Sequence, residues 1–133
     1  MKKAIVFTAV GVVVALIILT LIALEGTEVA VLHTALGSQP PRQTRVWVVD
    51  FDGTPWLEAA NPEREFYQDI LAGPEVVLER NGTRFEYRAV PMSGTSGHDL
   101  LRSRLSDKYG WADRWIGMLT DTSSSIAIRL EPR

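Results

Sequence analysis

The chain opens on an uncharged apolar run from Ala4 to Leu24 and only afterwards takes up the alternating and helical patterns of a folded domain. At helical rise the run covers roughly 31 Å, about the hydrocarbon thickness of a bilayer. Thr8, Gly11 and Thr20 interrupt it, and a helix satisfies their backbone groups internally. The pattern predicts a transmembrane anchor over residues 1–27 and one domain over 28–133. A cleaved signal peptide has a shorter apolar core, about 7–15 residues, and a small-x-small exit. Here the exit reads Leu21-Ile22-Ala23-Leu24-Glu25, without a clear A-x-A pattern. A buried core helix would need a larger protein around it. Lys2 and Lys3 precede the run, Glu25 and Glu28 follow it, and the next cation is Arg42. Positive-inside logic therefore predicts a cytoplasmic N-terminus and an extracytoplasmic domain.

Beyond the anchor, Val29 to Ala35 predicts a short first strand, and Gly37 to Gln43, with two prolines, a turn. Arg45 to Phe51 is rich in β-branched and aromatic residues and predicts one strand buried on much of both faces. Asp52-Gly53 is a hairpin turn, with Thr54 to Ala60 returning as partner. Asn61 and Pro62 suit the cap and first position of a helix. Its pairs are Phe66 with Ile70 and Tyr67 with Leu71, and Gly73-Pro74 ends it. Glu75–Arg80 and Thr83–Val90 form a second hairpin around Asn81-Gly82, with Phe85, Tyr87 and Ala89 sharing a face. Ser93 to Gly97 reads as a flexible link. Ser96 would cap a helix over His98–Tyr109 striped by Leu101, Leu105 and Tyr109. After Gly110, Trp111 and Trp115 share a face of a short helix, and Ser125 to Leu130 alternates as a closing strand. The fold class is mainly β with α. A six-stranded antiparallel sheet must cover its edges, and a small barrel with peripheral helices does so.

Composition narrows the function. The formal net charge of −2 offers no broad basic field for nucleic acid. The absence of cysteine excludes disulfides, thiolate catalysis and Cys-ligated metal centres. His33 and His98 stand alone, no H-E-x-x-H spacing exists, and no metal site is predicted. Ser93-Gly94-Thr95-Ser96-Gly97 lacks the lysine of a phosphate loop. Asn81-Gly82-Thr83 matches a glycosylation acceptor but is fully explained as a turn.

The block from Thr44 to Val90 resembles the flavin- and deazaflavin-dependent split β-barrel superfamily. That superfamily includes pyridoxamine-phosphate-oxidase-like proteins and deazaflavin-dependent nitroreductases. The shared order is a strand (Arg45–Phe51), an acidic-Gly turn (Asp52-Gly53), a strand (Trp56–Ala60), an Asn-containing loop (Asn61) and a short helix (Glu63–Leu71). Gly73-Pro74-Glu75-Val76 then opens the next strand, and it is the most specific piece with the helix before it. The resemblance covers about residues 29–131. It implies a homodimer with FMN or a deazaflavin held in a groove between subunits. It matches Arg45 to the phosphate-binding arginine on the first strand. It sets Asn61 and Arg64 in the phosphate-binding loop, and Tyr109, Trp111 and Trp115 near the ring. The loop departs from the family pattern: Asn61-Pro62-Glu63-Arg64-Glu65 replaces its glycines or Ser-Arg-Lys, and Glu63 and Glu65 repel phosphate unless turned away.

Each residue also has a plainer reading. Arg45 and Arg64 suit phosphate oxygens, and equally suit ion pairs with Glu58, Glu63 or Glu65. Trp47 and Trp56 are core residues or a cofactor shelf. Trp111 and Trp115 are a packing pair, or with Lys108 and Arg114 part of an anion site. Two functions follow. One is an oxidoreductase that transfers hydride to a quinone, nitro compound or other lipophilic acceptor, with Tyr109 as proton donor or substrate gate. The other is a membrane-tethered dimeric binding or assembly module without cofactor.

Overall fold

A computed structural model describes residues 1–133. The elements in order are α1 (Lys2–Glu25), β1 (Ala30–Thr34), β2 (Arg42–Val46), β3 (Val49–Phe51), β4 (Thr54–Ala59) and α2 (Glu65–Ala72). Then come β5 (Glu75–Arg80), β6 (Thr83–Met92), α3 (Thr95–Tyr109), α4 (Trp111–Leu119) and β7 (Ile126–Pro132). All strands pair antiparallel in one sheet of order β2-β1-β5-β6-β7-β4-β3.

The two outermost strands, β2 and β3, are neighbours in sequence, joined only by Trp47 and Val48. Laid flat, seven strands would separate the outer pair by roughly 29 Å. The chain from Val46 to Val49 reaches at most about 11 Å. The sheet therefore has to curl until its edges meet at this link. Sequence pattern predicts six strands because Arg45–Phe51 is one uninterrupted β-prone run. The run instead changes partner: Val46 pairs with Ala30 of β1, and Val49 pairs with Trp56 of β4. Propensity does not register a change of partner.

Two helix starts also differ from expectation. Asn61 does not cap α2; its Oδ1 accepts the Glu63 backbone N–H at 3.0 Å, closing a turn before the helix begins at Glu65. Helix α3 begins at Thr95, ahead of Ser96, with Gly94 at φ 90° in the cap position. Glycine tolerates that angle without strain, so the segment read as a flexible link supplies the entry to the helix.

The β-runs bury both faces, and alternate residues separate into two cores. Leu32, Val48, Leu57, Leu78, Ile128 and Leu130 join Phe66 and Ile70 of α2 in one cluster. Their sequence neighbours Val49, Trp56 and Ala127 face outward and pack with Leu101, Leu105, Tyr109, Ala112 and Ala23. The helices thus cover one outer wall of the curled sheet. Phe85 shares a face with Tyr87, their ring centroids 6.4 Å apart, but is exposed near the start of β6.

Helix α1 is long and apolar enough to cross a membrane. Its large apolar side chains from Ile5 to Leu24 are exposed, while Ala23 is buried against the domain. Its last turns are also tied by hydrogen bonds. Trp47 Nε1 donates to the Leu24 carbonyl at 3.1 Å, and Trp115 Nε1 donates to Thr20 Oγ1 at 3.0 Å. Gly26 ends the helix where a Cβ would fall 2.6 Å from the Ile22 carbonyl oxygen.

Tyr109 fastens the barrel seam. Its ring stacks on Trp47 at 4.2 Å, and its hydroxyl donates to the Glu28 carbonyl at 2.7 Å while accepting the Val48 N–H at 3.1 Å. Burial pushes the phenol up to about 12, so it stays protonated around neutrality. Beside it, Arg80 forks onto Glu28 and Asp50. Its hydrogen bonds, with Lys108 adding to them, hold the Glu28 carboxyl down to about 2 despite partial burial.

Two outcomes are expected. Tyr109→Phe keeps the stacking but strands the Val48 N–H. It should lower stability by about 1–3 kcal/mol, read as a lower thermal midpoint of the detergent-solubilised chain. Glu28 has a folded pKa below its ordinary 4.5, so its contribution is whole above that pH and is lost as pH falls toward 2. In acid titrations followed by tryptophan fluorescence, Glu28→Gln should flatten the stability loss across that window by about 1–2 kcal/mol.

Candidate functional site

An open cleft of about 440 Å³ lies where α1 meets the barrel, a volume suited to a small organic molecule. Leu24 and Glu25 from α1 form one wall, and Arg45, Val46 and Trp47 from β2 and the seam form the next. Arg64 and Phe66 come from the start of α2, Glu58 from β4, Arg102 and Leu105 from α3, and Asp113 and Ile116 from α4. No two neighbouring elements could build this wall alone, which is why no local motif marks it.

The cleft gathers three arginines and three carboxylates. Arg102 is central: it donates to both Glu58 oxygens at 3.0 and 3.2 Å and to both Asp113 oxygens at 2.7 and 2.9 Å. All three side chains are largely buried. Asp113 occupies the first turn of α4, where the helix dipole favours its charge. Arg45 is more exposed and grips Glu25 at the end of α1, with Nε at 3.0 Å from Oε1. Neither Glu58 nor Glu63 nor Glu65 is its partner. Arg64 makes no ion pair; its guanidinium lies over the Phe66 ring, 5.7 Å from the centroid. Glu65, expected to repel phosphate, is turned to Arg42 at 2.5 Å.

The residues singled out in sequence divide accordingly. Arg45 and Arg64 come together in the cleft. Asn61 sits in the turn before α2, outside the lining. Tyr109 is buried behind the cleft, with its hydroxyl engaged on both sides. Trp111 is exposed on α4, and Trp115 reaches α1. Trp47, left open between core and shelf, does both: it stacks on Tyr109 and lines the cleft. Sequence reading missed Arg102, Glu58 and Asp113 as a set. Arg102 follows Leu101 on the buried stripe of α3, the only hint that a charge would be carried inward there.

His98 also acquires partners. Its Nδ1 lies 3.1 Å from Ser125 Oγ, and that hydroxyl donates to Glu58 Oε2 at 2.9 Å. A nucleophilic relay needs the imidazole between acid and hydroxyl. Here the hydroxyl is between imidazole and acid, so the trio braces Glu58.

For a phosphate-bearing aromatic cofactor the fit is uneven. Val46, Trp47, Phe66, Leu105 and Ile116 provide apolar wall for a ring system. Arg64 offers a guanidinium without a competing carboxylate. Arg45 could serve a phosphate only by exchanging Glu25, and Arg102 has both terminal nitrogens engaged by carboxylates within the protein.

No protein-family model and no curated protein sequence matches this chain. Solved structures do match its fold. Conserved hypothetical protein Rv2991 from Mycobacterium tuberculosis aligns with TM-score 0.62 at 17% identity, over 80% of this chain and 74% of its own. A candidate pyridoxamine 5′-phosphate oxidase from Listeria innocua aligns with TM-score 0.60 at 16% identity, over 85% and 90%. An F420 reductase aligns with TM-score 0.54 at 19% identity, over 80% and 86%. The curled seven-stranded sheet with its flanking helices is thus the split β-barrel fold of the pyridoxamine-phosphate-oxidase-like and F420-reductase-like proteins.

Proposed function

We propose that this chain is a membrane-tethered oxidoreductase that uses a flavin or deazaflavin and acts on a lipophilic acceptor such as a quinone or nitro compound. The observation that carries the reading is the cleft where α1 joins the barrel, which brings Arg45, Arg64 and Trp47 together beside Leu24. When bound, the reduced cofactor would supply hydride; the protein's part is to hold and orient. Arg64 binds the anionic group. Phe66 and Trp47 flank the ring and exclude water. Arg102, fixed by Glu58 and Asp113, keeps the α3 and α4 walls in register. Tyr109 acts through Trp47, holding its indole against the seam. Asn61 sets the turn that delivers Arg64. A second copy completing the groove, as a homodimer, agrees with the openness of the cleft.

One observation favours the second reading, a binding or assembly module without cofactor. Arg45 and Arg102 already have carboxylate partners, so the cleft charges nearly cancel. The outward orientation read from Lys2, Lys3, Glu25 and Glu28 points the same way, since reduced deazaflavin is made in the cytoplasm.

Titration of FMN and of oxidised F420 onto the detergent-solubilised full chain, followed by tryptophan quenching, separates the two. The oxidoreductase reading expects saturable binding, weakened about ten-fold in Arg64→Ala, the loss of one charge-assisted contact. Glu25→Gln, which frees Arg45, should tighten it. A folded protein that quenches with neither cofactor leaves the module reading.

A further inference from the structure

We infer that α4 lies in the lipid interface, so that the barrel is seated on the bilayer surface and its cleft opens there. This rests on the reading that α1 spans the membrane. The exposed face of α4 is apolar: Trp111 is 47% exposed, Met118 73% and Leu119 58%. With half-buried Trp115 they occupy positions i, i+4, i+7 and i+8. At about 100° per residue these four share one arc of roughly 100°. Asp113 takes the opposite side and is buried in the domain, and Ala112, at the edge of the arc, is buried too. A helix with one face in the core and a second apolar face in water leaves that second face unaccounted for.

The position of α4 along α1 supplies the occupant. Trp115 Nε1 donates to Thr20 Oγ1, four residues before Leu24, the last residue of the apolar run. At helical rise the contact lies about 6 Å inside the end of that run. A tilt of about 20° changes the depth by less than a tenth. Interfacial helices bury their apolar faces about 5–10 Å into the headgroup–acyl boundary, and indoles prefer that level. If α1 crosses the bilayer, α4 has to meet the lipid at this depth, because the two helices are packed together. The charges agree. Asp113 is turned inward to Arg102, leaving exposed Arg114 as the other charge on the helix, free to reach lipid phosphate. Ile116 and Gly117 of α4 line the cleft together with Leu24. A lipid-dissolved molecule would then reach the cleft laterally, without crossing water.

The test uses the absence of native cysteine. Full-length Met118→Cys, and separately Val14→Cys in the middle of α1, are labelled with an environment-sensitive fluorophore. Each is reconstituted into phosphatidylcholine–phosphatidylglycerol vesicles carrying nitroxide at shallow or deep acyl positions. The expected result is quenching of the Met118 probe by at least about two-fold with the shallow nitroxide, and of the Val14 probe with the deep one. Quenching at Val14 without quenching at Met118 overturns the seating of α4 and leaves the anchor standing. No lipid quenching at either position overturns the anchor and the seating together. A Met118 probe shielded from aqueous iodide but not quenched from lipid, in a chain that cross-links as a dimer, assigns the face to a second copy and overturns the proposal.

Discussion

The whole structure depends on closing the sheet at Trp47 and Val48. Seven strands must curl far enough for a two-residue link to join their outer edges, and closure exposes polar backbone where pairing stops. Unpaired backbone away from water is costly, so the seam needs partners from elsewhere. They come from the end of α3. Tyr109 takes the Val48 N–H, and Lys108 Nζ donates to the Val48 carbonyl at 2.7 Å. The same tyrosine stacks on Trp47, whose indole reaches the last turn of α1. Barrel closure, helix docking and attachment of the apolar helix are therefore one connected set of contacts.

Charge is organised around that seam and around the cleft by different rules. At the seam, Arg80 with Glu28 and Asp50 draws β5, β3 and the segment after α1 together, and Lys108 adds a second cation. In the cleft, Arg102 commits both terminal nitrogens to two carboxylates. Arg64, stacked on Phe66, keeps its donors free. Three arginines in one cleft thus make one guanidinium without a carboxylate partner, one with a single exposed partner and one structural brace. Counting cations in the sequence could not separate these roles; only their partners do.

Much of the architecture was legible in the chain. The apolar run, both hairpin turns at Asp52-Gly53 and Asn81-Gly82, the Leu101–Leu105–Tyr109 stripe and the break at Gly110 are local signals, and each appears in the fold. The residues quoted for the split-barrel resemblance sit in the order that fold requires. What stayed hidden is non-local. The change of partner at Trp47 leaves no mark in a run of β-branched residues. The Glu58–Arg102–Asp113 brace joins two consecutive helices to a strand 44 residues before Arg102. The Glu25–Arg45 pair links residues that sequence logic had assigned to different jobs, one to a membrane flank and one to a ligand. Asn61 misled for a local reason: its side chain can close a turn or cap a helix with the same kind of hydrogen bond.

The last turn of α1 lends its residues to the domain: Ala23 to the outer core, the Leu24 carbonyl to Trp47, and Leu24 and Glu25 to the cleft wall. A soluble fragment begun at residue 28 would therefore not be the same domain without its tether. It would have an unroofed cleft, an indole N–H without its acceptor and Arg45 released from its carboxylate. Binding measured on such a fragment would describe a different electrostatic surface, one more cationic at the cleft than the protein has in place.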